Sequence, residues 1–290
     1  MVKGLKLTVI VDDAAGLRRG KLIPPLRAEH GLSISIDVET QAKDRMLSLL
    51  MDVGPSSEVV IRNAEALKVD LKKTRLIFLT HGHYDHTGGL IGVLKHIDRR
   101  VPIVAHPRIF EPKLKHKPFL TDIGTPFTSR DVEAYGGLLL LSRSPVLIME
   151  DALSTGEIER VIQYETVNGF WTISRERFVE DYLIDEQALV FKVDGKGLVI
   201  LSGCSHPGIM NTVQYAKKIT NVEKVYAVVG GFHLYEASDE RIQRTIDGLR
   251  DLNPELVCPC HCTGKKTFEA LEKVFGDNCK VLFTGCSLIL

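Results

Sequence analysis

Apolar residues recur along this chain in two rhythms. Short runs dominated by β-branched and aliphatic side chains, bounded by Gly, Asp or Pro, predict strands over residues 5–11 (LKLTVIV), 32–37, 46–51, 76–80, 102–105, 188–193, 198–202, 225–229 and 281–284. Between them the spacing becomes helical. SSEVVIRNAEAL opens on a serine cap, Ile242, Ile246 and Leu249 recur at i, i+4 and i+7, and Phe268, Leu271 and Phe275 form a similar stripe. Strands and helices sharing one chain in this way predict a layered α/β or α+β domain spanning residues 1–290. One stretch, about 107–184, keeps neither rhythm; it holds HKPFLTDIGTPFTSRD, the glycine-rich YGGLLLL and the single tryptophan in GFWTISRERF. Long irregular inserts of this kind serve as lids or binding segments.

Composition narrows the choice of partner. The 37 basic and 37 acidic side chains cancel, and no basic block stands out, so the footprint of a nucleic-acid binder is missing and a small or locally charged ligand fits better. The longest apolar stretches, such as GGLLLL and SLLM, fall far short of the ~20 residues a membrane helix needs, so no membrane partner is expected. The start, MVKGLKLTVIVDD, reads as strand alternation rather than a signal peptide, which points to the cytoplasm. There the six cysteines are expected as reduced thiols or metal ligands.

The candidate chemistry begins at LIFLTHGHYDHTGGL, residues 76–90, where a strand-like run stops and His81, His83, Asp85 and His86 follow within six positions. His81 and His83 stand two apart past a strand end, so in extended geometry both project to one side. Gly82 between them leaves room for an unusual turn, and Asp85 and His86 could then face a second ion. Imidazole and carboxylate are zinc donors, and two ions ~3.5–4 Å apart form the clamp of metal-assisted hydrolysis and phosphoryl chemistry. A solvated, capping loop at a helix start is the bland alternative, and four donors at the mouth of an apolar strand argue against it.

THGHYDHTGGL resembles the metal-binding signature of the metallo-β-lactamase superfamily, and MLSLLMDVG (46–54) resembles its strand ending in a buried aspartate, here Asp52. The resemblance implies a four-layer αββα sandwich with the site at one edge between two sheets. EHGLS, NAEAL, SGCSHPGI, GGFHL and PCHCTG, taken in order with the first motif, resemble one branch. That branch includes the 7,8-dihydropterin-6-methyl-4-(β-D-ribofuranosyl)aminobenzene 5'-phosphate synthases of methanopterin biosynthesis, grouped with dihydropteroate-synthase-like proteins. It implies a metal-dependent enzyme, transferase or hydrolase, acting on a phosphorylated, pterin-like small molecule with two divalent ions, zinc or alternatively magnesium or manganese. An oligomer is compatible with it.

The later motifs extend the set. In SGCSHPGI the superfamily's usual Gly-Asp pair is replaced by Gly203-Cys204, so Cys204 or His206 is expected to supply the ligand; a buried small hydrophobe is the competing reading of Cys204. The superfamily's histidine expected before the strand at 188–193 is absent, and LIDEQ offers only Asp185 or Glu186, whose ordinary roles are solvation and capping. In CPCHCTG, His261 matches the final superfamily histidine, with the flanking cysteines expected on the other face of the strand end. His233, after two glycines, is a candidate catalytic or substrate-binding residue with Asp85, against a core histidine as the rival. Lys265 and Lys266 at a helix start could hold a phosphate. Trp171, with Phe170 and Tyr182, could supply an aromatic face for a pterin. A non-catalytic binding module and a flavo-diiron type oxidoreductase are the readings from other classes; the latter's HxExD places a glutamate where His83 stands.

Overall fold

The computed structural model describes residues 1–15, 17–18, 21–22, 26–41 and 46–290. Its first half gives β1 (Val2–Val11), β2 (Ser33–Thr40), β3 (Leu47–Met51), α1 (Ser57–Ala66), β4 (Thr74–Phe78), α2 (Tyr84–Thr87), α3 (Leu90–Ile97), β5 (Val101–Ala105), α4 (Ser129–Ala134) and β6 (Gly137–Leu141). These strands pair in the order β6-β5-β4-β3-β2-β1, antiparallel from β1 to β3 and parallel from β3 to β6. The second half gives β7 (Val146–Met149), β8 (Ala152–Ser154), β9 (Phe170–Ser174), β10 (Arg177–Glu180), β11 (Leu189–Val193), β12 (Gly197–Ser202) and α5 (Ile209–Thr220). It continues with β13 (Val225–Gly231), α6 (Asp239–Leu252), β14 (Leu256–Cys260), α7 (Lys265–Phe275) and β15 (Ser287–Ile289). Here the order is β11-β12-β13-β14, antiparallel once and then parallel, with β8 on the far side of β11. The two halves meet through Val2 opposite Val193 and through β15, which lies antiparallel along β1.

Three buried apolar layers explain this stacking. In β12, Val199 and Leu201 face Leu7, Ile34 and Phe78 across the space between the sheets, whereas Leu198 and Ile200 pack with Val213 of α5 and Ile246 of α6. On the opposite side Ile77 of β4 packs with Val60 of α1 and Val93 of α3. Strands covered on both faces read as continuous apolar runs, the signal that marked them in the sequence. Each buried Val, Leu or Ile stabilises the fold by roughly 1.5–3 kcal/mol. The result is the expected αββα sandwich. Among the described residues no helix is long and apolar enough to cross a membrane.

Two sequence expectations need correction. The stretch 107–184 is not wholly irregular: β6 pairs residue for residue with β5 at one edge of the large sheet, and β7 and β8 form a hairpin joined to β11. The stretch also holds α4 and a separate small sheet, β10-β9 with the two-residue strands Leu114–Lys115 and Thr121–Asp122. The strand expected at 281–284 does not form. Lys280 and Leu282 donate to the carbonyls of Val257 and Pro259 at 2.9 Å each, so the segment runs along β14. Pro259 has no N–H to return a bond, and the ladder stops there.

Candidate metal centre

The parallel strands of each sheet carry their C-terminal tips to one edge, where open α/β layers bind ligands. Asp52 follows β3, His81 and His83 follow β4, Cys204 and His206 follow β12, His233 follows β13, and His261 follows β14. Sharp reversals at these tips place Asp52, Ser205, His233 and His261 at φ 54, 61, 46 and 48°. Each left-handed non-glycine residue costs roughly 1–2 kcal/mol, and such positions concentrate at working sites. Gly82 serves differently from expectation: a Cβ there would lie 2.4 Å from the carbonyl oxygen of Ile109, so close approach of the insert, rather than a positive φ, requires glycine.

The side chains converge in two sets. His81, His83 and His206 bring ring nitrogens within 4.8 Å of one another, with His81 Nε2 2.9 Å from His83 Nδ1. Asp85, His86 and His261 form the second set: Asp85 Oδ2 lies 3.5 Å from His86 Nε2 and 3.4 Å from His261 Nε2, and those two nitrogens are 3.2 Å apart. Cys204 sits between the sets, its Sγ 3.3 Å from His86 Nε2 and within 4.8 Å of donor atoms of His81 and of His206 with His233. Its position is that of the aspartate the superfamily resemblance implies.

The ring nitrogens turned away from the centre carry acceptors. His86 Nδ1 meets Asp52 at 2.7 Å, His261 Nδ1 meets Asp13 at 2.8 Å, His206 Nδ1 meets Glu186 at 2.5 Å, and His81 Nδ1 lies 3.0 Å from the Thr80 hydroxyl. Imidazoles that ligate a metal are held this way, with the far nitrogen fixed by a carboxylate or hydroxyl and the near one left to the ion. Burial holds His81 and His206 well below the ordinary histidine range and His83 down to about 3, so all three are neutral, the form that binds metal. Burial works against the charge of Asp85 too, but the neighbouring His86 and His261 hold its carboxyl well below the usual range. Crowded imidazole nitrogens, inward-facing and lacking other acceptors, together with an ionised carboxylate and a thiol, fit a divalent metal.

Beside the centre opens a cleft of about 410 Å³, lined by His83, Asp85, Cys204, His206, His233 and His261 and also by Lys115, Ile123, Phe170 and Tyr235 among others. Phe170 stands over the imidazoles, its ring centroid 5.3 Å from His83 and 5.4 Å from His206, and its cross-strand partner is Lys115. His233 stacks 4.4 Å from His206, and its Nδ1 is buried without a hydrogen-bond partner.

Other candidates lie elsewhere. Trp171 stacks on Phe178 at 4.6 Å and is not among the cleft residues; Tyr182 is exposed. Lys265 is exposed and pairs with Glu269, and Lys266 pairs with Asp239, so neither lysine reaches the donors. Asp185 and Glu186 stand behind the donors rather than among them, Glu186 against the far ring nitrogen of His206. Asp185 accepts from Gly82 N–H at 2.9 Å and from Lys113 Nζ at 2.6 Å, while Glu186 accepts from the N–H groups of Cys204, Ser205 and His206. The cysteines around His261 divide: Cys260 is buried between the sheets, as expected, but Cys262 lines the cleft. Sequence reasoning also missed Asp12 and Asp13, which bond the backbone N–H and ring of His261 at 2.8 Å each; the signal was VDD at a strand end, as in MDVG.

Comparison with known proteins agrees with this architecture. Residues 43–210 match the family described as the metallo-β-lactamase superfamily. The chain is 37% identical over 290 residues, 98% of its own length and 96% of the other, to a 7,8-dihydropterin-6-methyl-4-(beta-D-ribofuranosyl)-aminobenzene-5'-phosphate synthase of Methanocaldococcus jannaschii. It superposes with a TM-score of 0.80 and 26% identity, over 98% of both chains, on Tm1679, described as a metal-dependent hydrolase of the beta-lactamase superfamily. Zn(2+)-bound PqqB from Methylobacterium extorquens shares the fold alone, with a TM-score of 0.53 and 13% identity over 98% of this chain and 99% of that one. The strand-tip donor cluster, the two covered sheets and these likenesses together make the chain an enzyme of the metallo-β-lactamase superfamily.

Proposed function

We propose that this protein joins a dihydropterin-methyl pyrophosphate to a ribofuranosylaminobenzene phosphate with release of pyrophosphate. The observation that carries the reading is the 37% identity, across nearly the whole chain, to an archaeal enzyme named for that product. The cleft supports it: donors for two ions line it together with an aromatic ring, Phe170, and a lysine, Lys115. His81, His83 and His206 would hold one ion, and Asp85, His86 and His261 with Cys204 the other, with zinc as the first choice over magnesium or manganese. Bound there, the ions supply Lewis acidity toward the pyrophosphate oxygens.

The chain's own groups account for the rest. Phe170 offers a flat face to a pterin ring, and Lys115, on the same side of the small sheet, places a cation within reach of a phosphate. The acceptor's amine nitrogen bonds to the methyl carbon as the carbon–oxygen bond to pyrophosphate breaks, and the amine proton passes to His233 Nδ1. Asp52 and Asp13 fix the orientation of His86 and His261. The insert covers the cleft and limits water, which would divert the reaction to hydrolysis.

The test is to incubate metal-loaded protein with the dihydropterin pyrophosphate, with and without the aminobenzene acceptor, and to follow pyrophosphate beside a phosphodiester control. Acceptor-dependent release is expected, and His81→Ala should abolish it. Cleavage of the phosphodiester alone would overturn the transferase reading in favour of a hydrolase, the activity named for Tm1679.

A further inference from the structure

We infer that Cys262 is a metal ligand together with Cys204, so that the second ion carries two thiolate donors. The inference rests on the metal-centre reading above and adds to it the sulfur content of the site. Donor atoms of Cys204, His261 and Cys262 lie within 4.8 Å of one another, and both sulfurs belong to residues that line the cleft. A tetrahedral zinc with bonds of ~2.3 Å to sulfur and ~2.0–2.1 Å to nitrogen holds its donors roughly 3.3–3.8 Å apart, a spacing this set reaches by small side-chain rotations.

The place of Cys262 is built by its neighbours. A Cβ on Gly231 would stand 2.7 Å from Cys262 Sγ and 3.3 Å from Cys204 Cα, so the tip of β13 must be glycine for this sulfur to fit. The ordinary reading of a buried cysteine is a small apolar side chain, and it suits Cys258 and Cys260, which lie in the apolar layer between the sheets. It does not suit Cys262. Its sulfur lies 3.6 Å from the Cys204 carbonyl oxygen and belongs to no apolar layer.

Two thiolates change which metal the centre selects. Sulfur donors favour zinc over magnesium or manganese, whose preferred ligands are oxygen.

X-ray absorption of the zinc-loaded protein tests this directly. The expected result is a zinc–sulfur shell at ~2.3 Å that falls by about half in Cys262→Ser and in Cys204→Ser, vanishes in the double variant and is unchanged in Cys258→Ser. Should Cys262→Ser fail to fold, alkylation of the unmodified protein decides: the Cys262 peptide should resist a thiol reagent when zinc is bound and react after chelation. A shell unchanged in Cys262→Ser, or equal labelling of Cys262 in both states, overturns the inference. Zinc bound with no sulfur in its shell overturns it and leaves the metal centre standing. Absence of any bound metal overturns both.

Discussion

Glu186 Oε2 accepts from both the backbone N–H of His206, at 2.7 Å, and its ring Nδ1, at 2.5 Å. Its other oxygen accepts from the N–H groups of Cys204 and Ser205, so one buried carboxylate holds the whole loop that carries two donors. Glu186→Ala would strand three backbone donors away from water, at about 1–3 kcal/mol for each that finds no partner. We predict a loss of about 3 kcal/mol in urea unfolding of the metal-free protein. Metal affinity, measured by competition with a chromogenic chelator, should fall about 10–100-fold, the usual cost of losing an outer partner. Unchanged affinity would mean that His206 is positioned without Glu186.

Lys113 is nearly fully buried in the insert and pairs with Asp181 at 3.0 Å and Asp185 at 2.6 Å. Burial opposes its charge, but the two carboxylates hold it above the ordinary lysine range. Because Asp185 also accepts from Gly82 N–H, this network ties the insert to the turn between His81 and His83. Lys113→Met should cost about 3–5 kcal/mol, since it leaves buried carboxylates uncompensated. Lys113→Met combined with Asp181→Asn and Asp185→Asn should recover part of that loss. Denaturation midpoints of the two variants check both statements.

The residues that sequence reasoning located best sit where a strand signal and a chemical signal coincide. His81, His83, Asp85 and His86 follow a clear apolar run, and the structure brings them together with His206 and His261. Roles that depend on register were illegible. Phe170 and Trp171 are adjacent in β9, and neighbours in a strand point to opposite faces, so which one meets the cleft turned on a one-residue parity that the sequence did not carry. In the sequence Asp185 and Glu186 read as solvated or capping, because two acids ahead of a strand usually are. Only the fold shows Glu186 buried against the loop after β12. The cysteine beside the imidazoles was half visible in Gly203-Cys204, while the cleft position of Cys262 was hidden among three cysteines whose faces the strand end divides.

Glu165 gives a pH dependence at the start of α5. Its carboxyl accepts from the N–H groups of Met210 and Asn211 at the start of α5, at 2.9 and 2.7 Å, and burial pushes it up to about 7. A carboxyl raised on folding binds its proton more tightly in the native state than in the unfolded chain. Its contribution is therefore fully present below its unfolded value of about 4.5 and is lost as pH rises through about 7. Wild-type stability relative to Glu165→Gln should fall between pH 5 and pH 8. Unfolding free energies of both proteins at the two pH values provide the measurement, and a difference that grows with pH would refute the assignment.

Removing metal should destabilise the protein in a concentration-dependent way. In the ion-free chain, imidazole nitrogens face one another at about 3 Å and His83 Nε2 is buried without a partner. A ligand that binds only the folded state stabilises it by RT ln(1 + [L]/Kd), about 4 kcal/mol at a thousand-fold excess over Kd. Chelation should therefore lower the unfolding midpoint, and titrating zinc back should raise it progressively. His83→Ala and His261→Ala remove one donor from each set. Each variant should retain part of the zinc-dependent shift, and the double variant should retain almost none if both ions contribute. A single variant that eliminates the whole shift would instead indicate one ion bridging both sets, so the two arrangements separate in a thermal titration without any assay of turnover.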